Sequence, residues 1–180
     1  MPMNAQYRGP IDLPPGRAPG VVWIVEVGIM PNRTDPRTDP LIVVGVDGSD
    51  LAVAALAWAA EHARQVGARL LVVTAYDVPW TIFFAPTYTE ADYARDAEAA
   101  LEKSVSAALG DEPDIEVDKR VVADRAAHAL TQAAAEANLL VVGSHGRGQL
   151  PGMHLGSVAG YCVHHAPCPV LVFRTLTSGR

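Results

Sequence analysis

From Leu41 onward, short apolar runs alternate with longer stretches that carry helix start and stop signals, and few folds are open to a chain written this way. Residues 41–46 form an apolar run ended by Asp47-Gly48-Ser49. Ser49 or Asp50 can cap the helix that follows, in which Leu51, Ala55, Trp58 and His62 share one stripe and Gly67 supplies the stop. Residues 69–75 predict a second strand. A loop carrying Pro79, Trp80, Phe83, Phe84 and Pro86 leads to a helix over about 89–109, closed by Gly110. The pattern then predicts a strand over 115–122, a helix over 124–137, a strand over 139–142, a helix over 157–165 and a last strand over 170–173. Strands apolar at nearly every position are buried on both faces, and helical crossovers between them make the pairing parallel. The expected fold is α/β and Rossmann-like: an open five-stranded parallel sheet in the order 3-2-1-4-5, with helices on both faces.

In such a sheet, ligands bind beyond the carboxyl ends of the strands where strand order reverses. In this order strands one and four are neighbours, so Asp47 after the first and Gly143 after the fourth face one crevice. Gly143-Ser144-His145-Gly146, nine further residues, and Gly156-Ser157 give the spacing G-x2-G-x9-G-S between that strand and the last helix. Glycines let backbone approach a phosphate and take positive φ, and the unpaired N–H groups of a helix start attract negative charge. Ser157 adds a hydroxyl donor. A Walker A loop needs Lys beside Ser or Thr, but the chain's two lysines, Lys103 and Lys119, lie far from these glycines in sequence. The dinucleotide fingerprint packs its glycines into the first strand-helix turn, whereas this loop is long and late, which argues against a dinucleotide.

Composition narrows the partners. A chain of 180 residues, 49% hydrophobic, suffices for one domain. Its formal charge of -6 and the lack of a basic run disfavour nucleic acid. The longest early apolar run, 21–30, contains Glu26 and is about half of what a bilayer requires, so no membrane span or secretory signal is expected. Cys162 and Cys168 do not make a disulfide framework and indicate a reducing, cytoplasmic setting. Residues 1–40 hold eight of the 14 prolines and read as a flexible extension, followed by a nucleotide-binding domain over 41–174 and a tail over 175–180. Within the extension, residues 21–27 have strong β propensity and could join a sheet edge in the same molecule or another.

Val43-Val44-Gly45-Val46-Asp47-Gly48-Ser49, Val142-Gly143-Ser144-His145-Gly146-Arg147, Leu155-Gly156-Ser157-Val158 and Ala166-Pro167-Cys168-Pro169-Val170-Leu171-Val172 occur in the order found in the universal stress protein family. The chain resembles that family over 41–174, and G-x2-G-x9-G-S is the form of its ATP-binding branch. The resemblance implies that Asp47, beside Val46, contacts ribose or adenine and that the backbone near Ala75 meets the adenine edge. It implies that Val142 and Gly143 line the nucleotide, with Ser144 in the same loop. Gly146, Arg147, Gly156, Ser157 and Val158 would surround the phosphates. Two features depart from the pattern: Ala123-Asp124-Arg125 replaces the usual Gly-x-Pro turn, and residues 1–40 have no counterpart.

Plainer roles compete with these. The glycines could form an ordinary turn, Asp47 could be only a helix cap, and Arg147 could face solvent. His145, His154, His164 and His165 fit no zinc spacing, so no metal centre is expected. Ser144 and His145, adjacent on a loop without an orienting acid, do not make a hydrolytic dyad. Trp80, Phe83 and Phe84 suggest loop packing, and Cys162 a core position. The expected function is an ATP-binding stress-response regulator, with Mg2+ possible on the phosphates and hydrolysis slow at most. The alternatives are a cyclic-AMP-binding relative and an interaction module with a vestigial site. The fifth strand, last in order, is expected to pair two copies into a homodimer.

Overall fold

The computed structural model describes residues 20–25, 40–78, 88–111, 113–147 and 155–175. The loop with Trp80, Phe83 and Phe84, and His154, lie outside them. In chain order the elements are β1 (Gly20–Val25), β2 (Leu41–Gly45), α1 (Asp50–Val66), β3 (Arg69–Tyr76), α2 (Glu90–Leu109) and β4 (Val117–Ala123). Then come α3 (Ala126–Ala133), a single 3-10 turn (Ala134–Glu136), β5 (Leu139–Gly143), α4 (Ser157–His165) and β6 (Val170–Thr175). The sheet order is β1-β6-β5-β2-β3-β4. The five strands from β2 onward are all parallel and stand in the expected order, 3-2-1-4-5 when counted from β2.

The sixth strand changes one edge. β1 runs antiparallel along β6, from Gly20 opposite Thr175 to Val25 opposite Val170. The last strand is therefore internal, and the free edge on which the expected homodimer depended is already filled by the chain's own N-terminal segment. At the other edge, β4 carries Asp118, Lys119 and Arg120. Charged residues there oppose pairing with another chain. Two of them are held within the molecule: Arg69 meets Asp118 at 3.1 Å and Lys119 meets Glu102 at 2.6 Å.

Alternation along the strands splits the core into two layers. Leu41, Val43, Leu71, Val73, Leu140 and Val142 face α3 and α4, while Ile42, Val44, Leu70, Val72 and Val141 face α1 and α2. Helix boundaries follow the caps. Ser49 Oγ accepts from the Ala52 N–H at 3.2 Å, and Gly67 ends α1 at φ 66. Thr89 and Asp92 form a reciprocal capping box at the start of α2. The buried stripe of α1 is centred on Leu51, Ala55, Leu56, Ala59 and Ala63, so Trp58 and His62 sit at its half-buried margin, stacked at 5.2 Å. The third helix is shorter than its apolar pattern suggests: it begins after Arg125 and tightens into the 3-10 turn.

Candidate functional site

The site begins with two connections at the carboxyl ends of neighbouring strands, a short one after β2 and a long one after β5. After β2 the chain stays stitched to β3: the Val46 N–H donates to the Val73 carbonyl at 2.9 Å, and Thr74 Oγ1 donates to the Val46 carbonyl at 3.0 Å. After β5, the Ser144 N–H donates to the Phe173 carbonyl at 2.7 Å, and the Gly156 N–H returns to the Ser144 carbonyl at 2.6 Å. The second bond brings the start of α4 against the glycine loop.

Asp47 joins the two connections. Its Oδ1 accepts from the Ser49 N–H at 3.0 Å, and its Oδ2 accepts from the Arg147 N–H at 2.9 Å, across a separation of 100 residues. Expected as a ligand contact or a cap, the residue is in this geometry a clamp between loops. A Cβ added at Gly146 would run into the Asp47 carboxylate. At Gly143 a Cβ would lie 3.1 Å from the His145 carbonyl oxygen, and at Gly156 it would lie 3.3 Å from the His145 Cα and the Ser144 oxygen. Close approach of backbone, not positive φ, is what these three positions require. The left-handed conformation falls instead, among the described glycines, on Gly48, Gly67 and Gly110. Gly48, at φ 81, lies beneath Arg147: a Cβ there would stand 2.5 Å from a guanidinium nitrogen.

These loops open on a cavity of about 770 Å³, within the roughly 300–1,000 Å³ of small-molecule sites. From the strand ends it is lined by Val46, Asp47, Ala75 and Val142. The glycine loop contributes Gly143, Gly146 and Arg147, and the start of α4 contributes Gly156, Ser157 and Val158. Ser144 is the exception among the expected residues. It is buried, its hydroxyl lies 3.0 Å from His145 Nδ1, and it does not reach the wall.

The start of α4 is the part of this wall suited to anions. Gly156 occupies the cap position and offers no side-chain bond to the first turn. The first turn of α4, with the positive end of the helix dipole, thus stands at the cavity wall without a side-chain cap. Arg147 is the sole Lys or Arg among the described lining residues. Opposite in charge, Asp47 and Asp96 supply the carboxylates of the wall.

Part of the wall was not foreseen. Tyr93, Asp96, Ala97 and Ala100 line the cavity from α2, and Ala126 and Leu130 line it from α3, on the side where the Gly-x-Pro turn is replaced. The i, i+3, i+4, i+7 spacing of the α2 residues shows that they share a face, but nothing local says that this face meets the strand ends. The Tyr88 hydroxyl donates to Asp96, and that carboxylate pushes the phenol up to about 12. Tyr88 and Tyr93 meet edge to face at 4.8 Å. At the replaced turn, Asp124 accepts from the Arg125 N–H at 2.7 Å and bonds to His128 Nδ1. The His128 bond above all, then that N–H, holds the Asp124 carboxyl below its usual range. Asp124 thus ties the turn to the first turn of α3 through His128, while Arg125 stands at the proline position and caps the helix without a side-chain bond. Among the described residues no group of three or more His, Cys, Asp or Glu is arranged for a metal ion.

Comparison with known proteins places this geometry. The family model described as the universal stress protein family matches residues 41–174. A universal stress protein of Mycobacterium tuberculosis is 40% identical over 141 residues, which are 78% of this chain and 47% of that protein. The chain thus spans about half the length of the mycobacterial relatives it matches. One from Thermus aquaticus is 38% identical over 135 residues, covering 74% of this chain and 97% of that protein. Among solved structures, a universal stress protein in complex with cAMP is 28% identical with a TM-score of 0.60, covering 76% of this chain and 98% of the other. With a matched segment that coincides with β2 to β6 and the loops that build the cavity, the chain belongs to the universal stress protein family.

Proposed function

We propose that the chain binds an adenine nucleotide, ATP in the first instance, between the ends of β2, β3 and β5, and acts as a cytoplasmic stress-response regulator. One observation carries this reading: the uncapped start of α4 and three glycines pressed against neighbouring backbone or against Asp47 meet in a single cavity of about 770 Å³. Phosphates would lie against Gly146, Gly156, Ser157 and Val158, with Arg147 beside them. Adenine and ribose would extend toward Val46, Asp47 and Ala75. Carboxylates at Asp47 and Asp96 oppose deep entry of the phosphates on that side and favour the hydroxyl-bearing end. With no ready-made metal cage among the described residues, Mg2+ would enter on the phosphates. Any hydrolysis would be slow.

Cyclic AMP is the second reading, favoured by the cAMP complex of the 28% identical relative. A cyclic phosphate would leave part of the Arg147 side of the cavity unfilled. Pairing of two copies through the last strand is compatible with this fold only if β1 leaves it. Mass spectrometry of the small molecule released on denaturing the purified protein, followed by calorimetry with ATP and cyclic AMP, tests the proposal. We expect an adenine nucleotide and tighter binding of ATP; no release and no heat with either would refute it and leave an interaction module.

A further inference from the structure

Strand β1 covers the edge that β6 would otherwise leave open. An open β6 would present a row of unpaired N–H and C=O groups, and such an edge pairs readily with the same edge of another molecule. β1 runs along this edge in an antiparallel ladder of six matched residues. The match is also one of sequence. If a second copy met β6 antiparallel across a two-fold axis centred between Val172 and Phe173, its Leu171, Val172 and Phe173 would stand where Val21, Val22 and Trp23 stand here. The apolar residue, Val, aromatic order is the same in both. The next position differs: a second copy would bring Arg174 opposite the fully buried Leu171, whereas β1 brings Ile24.

We propose that β1 is an intramolecular substitute for the edge strand of a second copy, and that by occupying β6 it holds the chain as a monomer. The chain length between the strands permits this. Fifteen residues separate Val25 from Leu41, a reach of up to about 50 Å. The path from β1 to β2 crosses three strand spacings, about 14 Å. A tethered strand also competes at an effective concentration on the order of millimolar, which a free second copy does not reach in dilute solution. Displacing β1 uncovers β6, and the partner it then fits is a second copy of this chain. Occupation of the cavity by nucleotide is not part of this inference.

Two measurements on the full chain test it. Alternate residues of an antiparallel strand turn their N–H to the neighbour, so Val22→Pro together with Trp23→Pro removes at least one ladder donor. Light scattering should give 19.1 kDa for the unaltered chain and twice that mass for the double variant, reverting to monomer when Val172→Pro is added. A full-length dimer, or a double variant that stays folded and monomeric, would overturn the proposal. Independently of whether that variant folds, Val22→Cys with Phe173→Cys places a thiol pair at directly opposed positions. Oxidation should give a cross-link within one chain at monomer mass. A cross-linked dimer, or no cross-link, would overturn the occupation of β6 by its own chain.

Discussion

Ser157→Asp separates a helix start that binds phosphate from one that merely begins a helix. Ser157 is the first residue of α4, is exposed, and follows a cap residue that gives no side-chain bond. A carboxylate there should stabilise the fold, since an acid at a helix start contributes about 0.3–1 kcal/mol, or up to about 4 °C in Tm for a domain of this size. The same charge opposes phosphate. Two like charges about 4 Å apart repel by about 1 kcal/mol in bulk water and about 4 kcal/mol near a protein surface. Because the position is exposed, the lower part of that range applies, about 1–2.5 kcal/mol, or roughly 5- to 70-fold in affinity. Calorimetry with ATP and with adenosine, beside a thermal melt, reads both effects. We expect Tm unchanged or raised, ATP bound at least about fivefold more weakly, and adenosine affinity kept; Ser157→Asn should resemble the parent in all three. Unaltered affinity of the aspartate variant for ATP, measured without Mg2+ so that no cation bridges the new carboxylate to the phosphates, would refute the placement of phosphates at α4.

Asp47→Ala removes the acceptor for both the Ser49 and Arg147 N–H groups; for a half-buried carboxylate we expect a loss of about 2–3 kcal/mol in denaturant unfolding, partly restored in Asp47→Asn, and a loss below about 0.5 kcal/mol would show that the clamp is weak. Gly48→Ala should destabilise more than Gly67→Ala: both have positive φ, costing about 1–2 kcal/mol, but only at Gly48 would the new Cβ also displace Arg147, so equal melting shifts would place that guanidinium elsewhere. Burial pushes the Cys162 thiol up from 9.0 to about 11. The native protein then holds that proton longer than the unfolded chain, so this group leaves stability unchanged below about pH 9 and lowers it as pH rises toward 11; Cys162 should also resist iodoacetamide at pH 8 until the protein is unfolded, as peptide mass spectrometry would show.

The elements were legible in the sequence because their causes are local. Caps at Ser49 and Thr89, stops at Gly67 and Gly110, and unbroken apolar runs are written within a few residues of the structure they produce. Strand order and the crevice could also be inferred, since right-handed crossovers leave few topologies for this alternation. The glycine loop was legible as a break between β5 and α4, but the contacts that crowd its glycines were not: the Asp47 carboxylate and backbone packed against them belong to segments far apart or folded back on each other. Distance in sequence likewise hid the clamp from Asp47 to Arg147, because a lone acid after a strand carries no mark of a partner 100 residues away. The α2 and α3 walls escaped because a helix shows which residues share a face, not what that face will meet. The fate of β1 was decided last: β propensity allowed Gly20–Val25 to join any open edge, and only the assembled sheet, with β6 at its margin and a tether long enough to reach it, selects the pairing within the same chain.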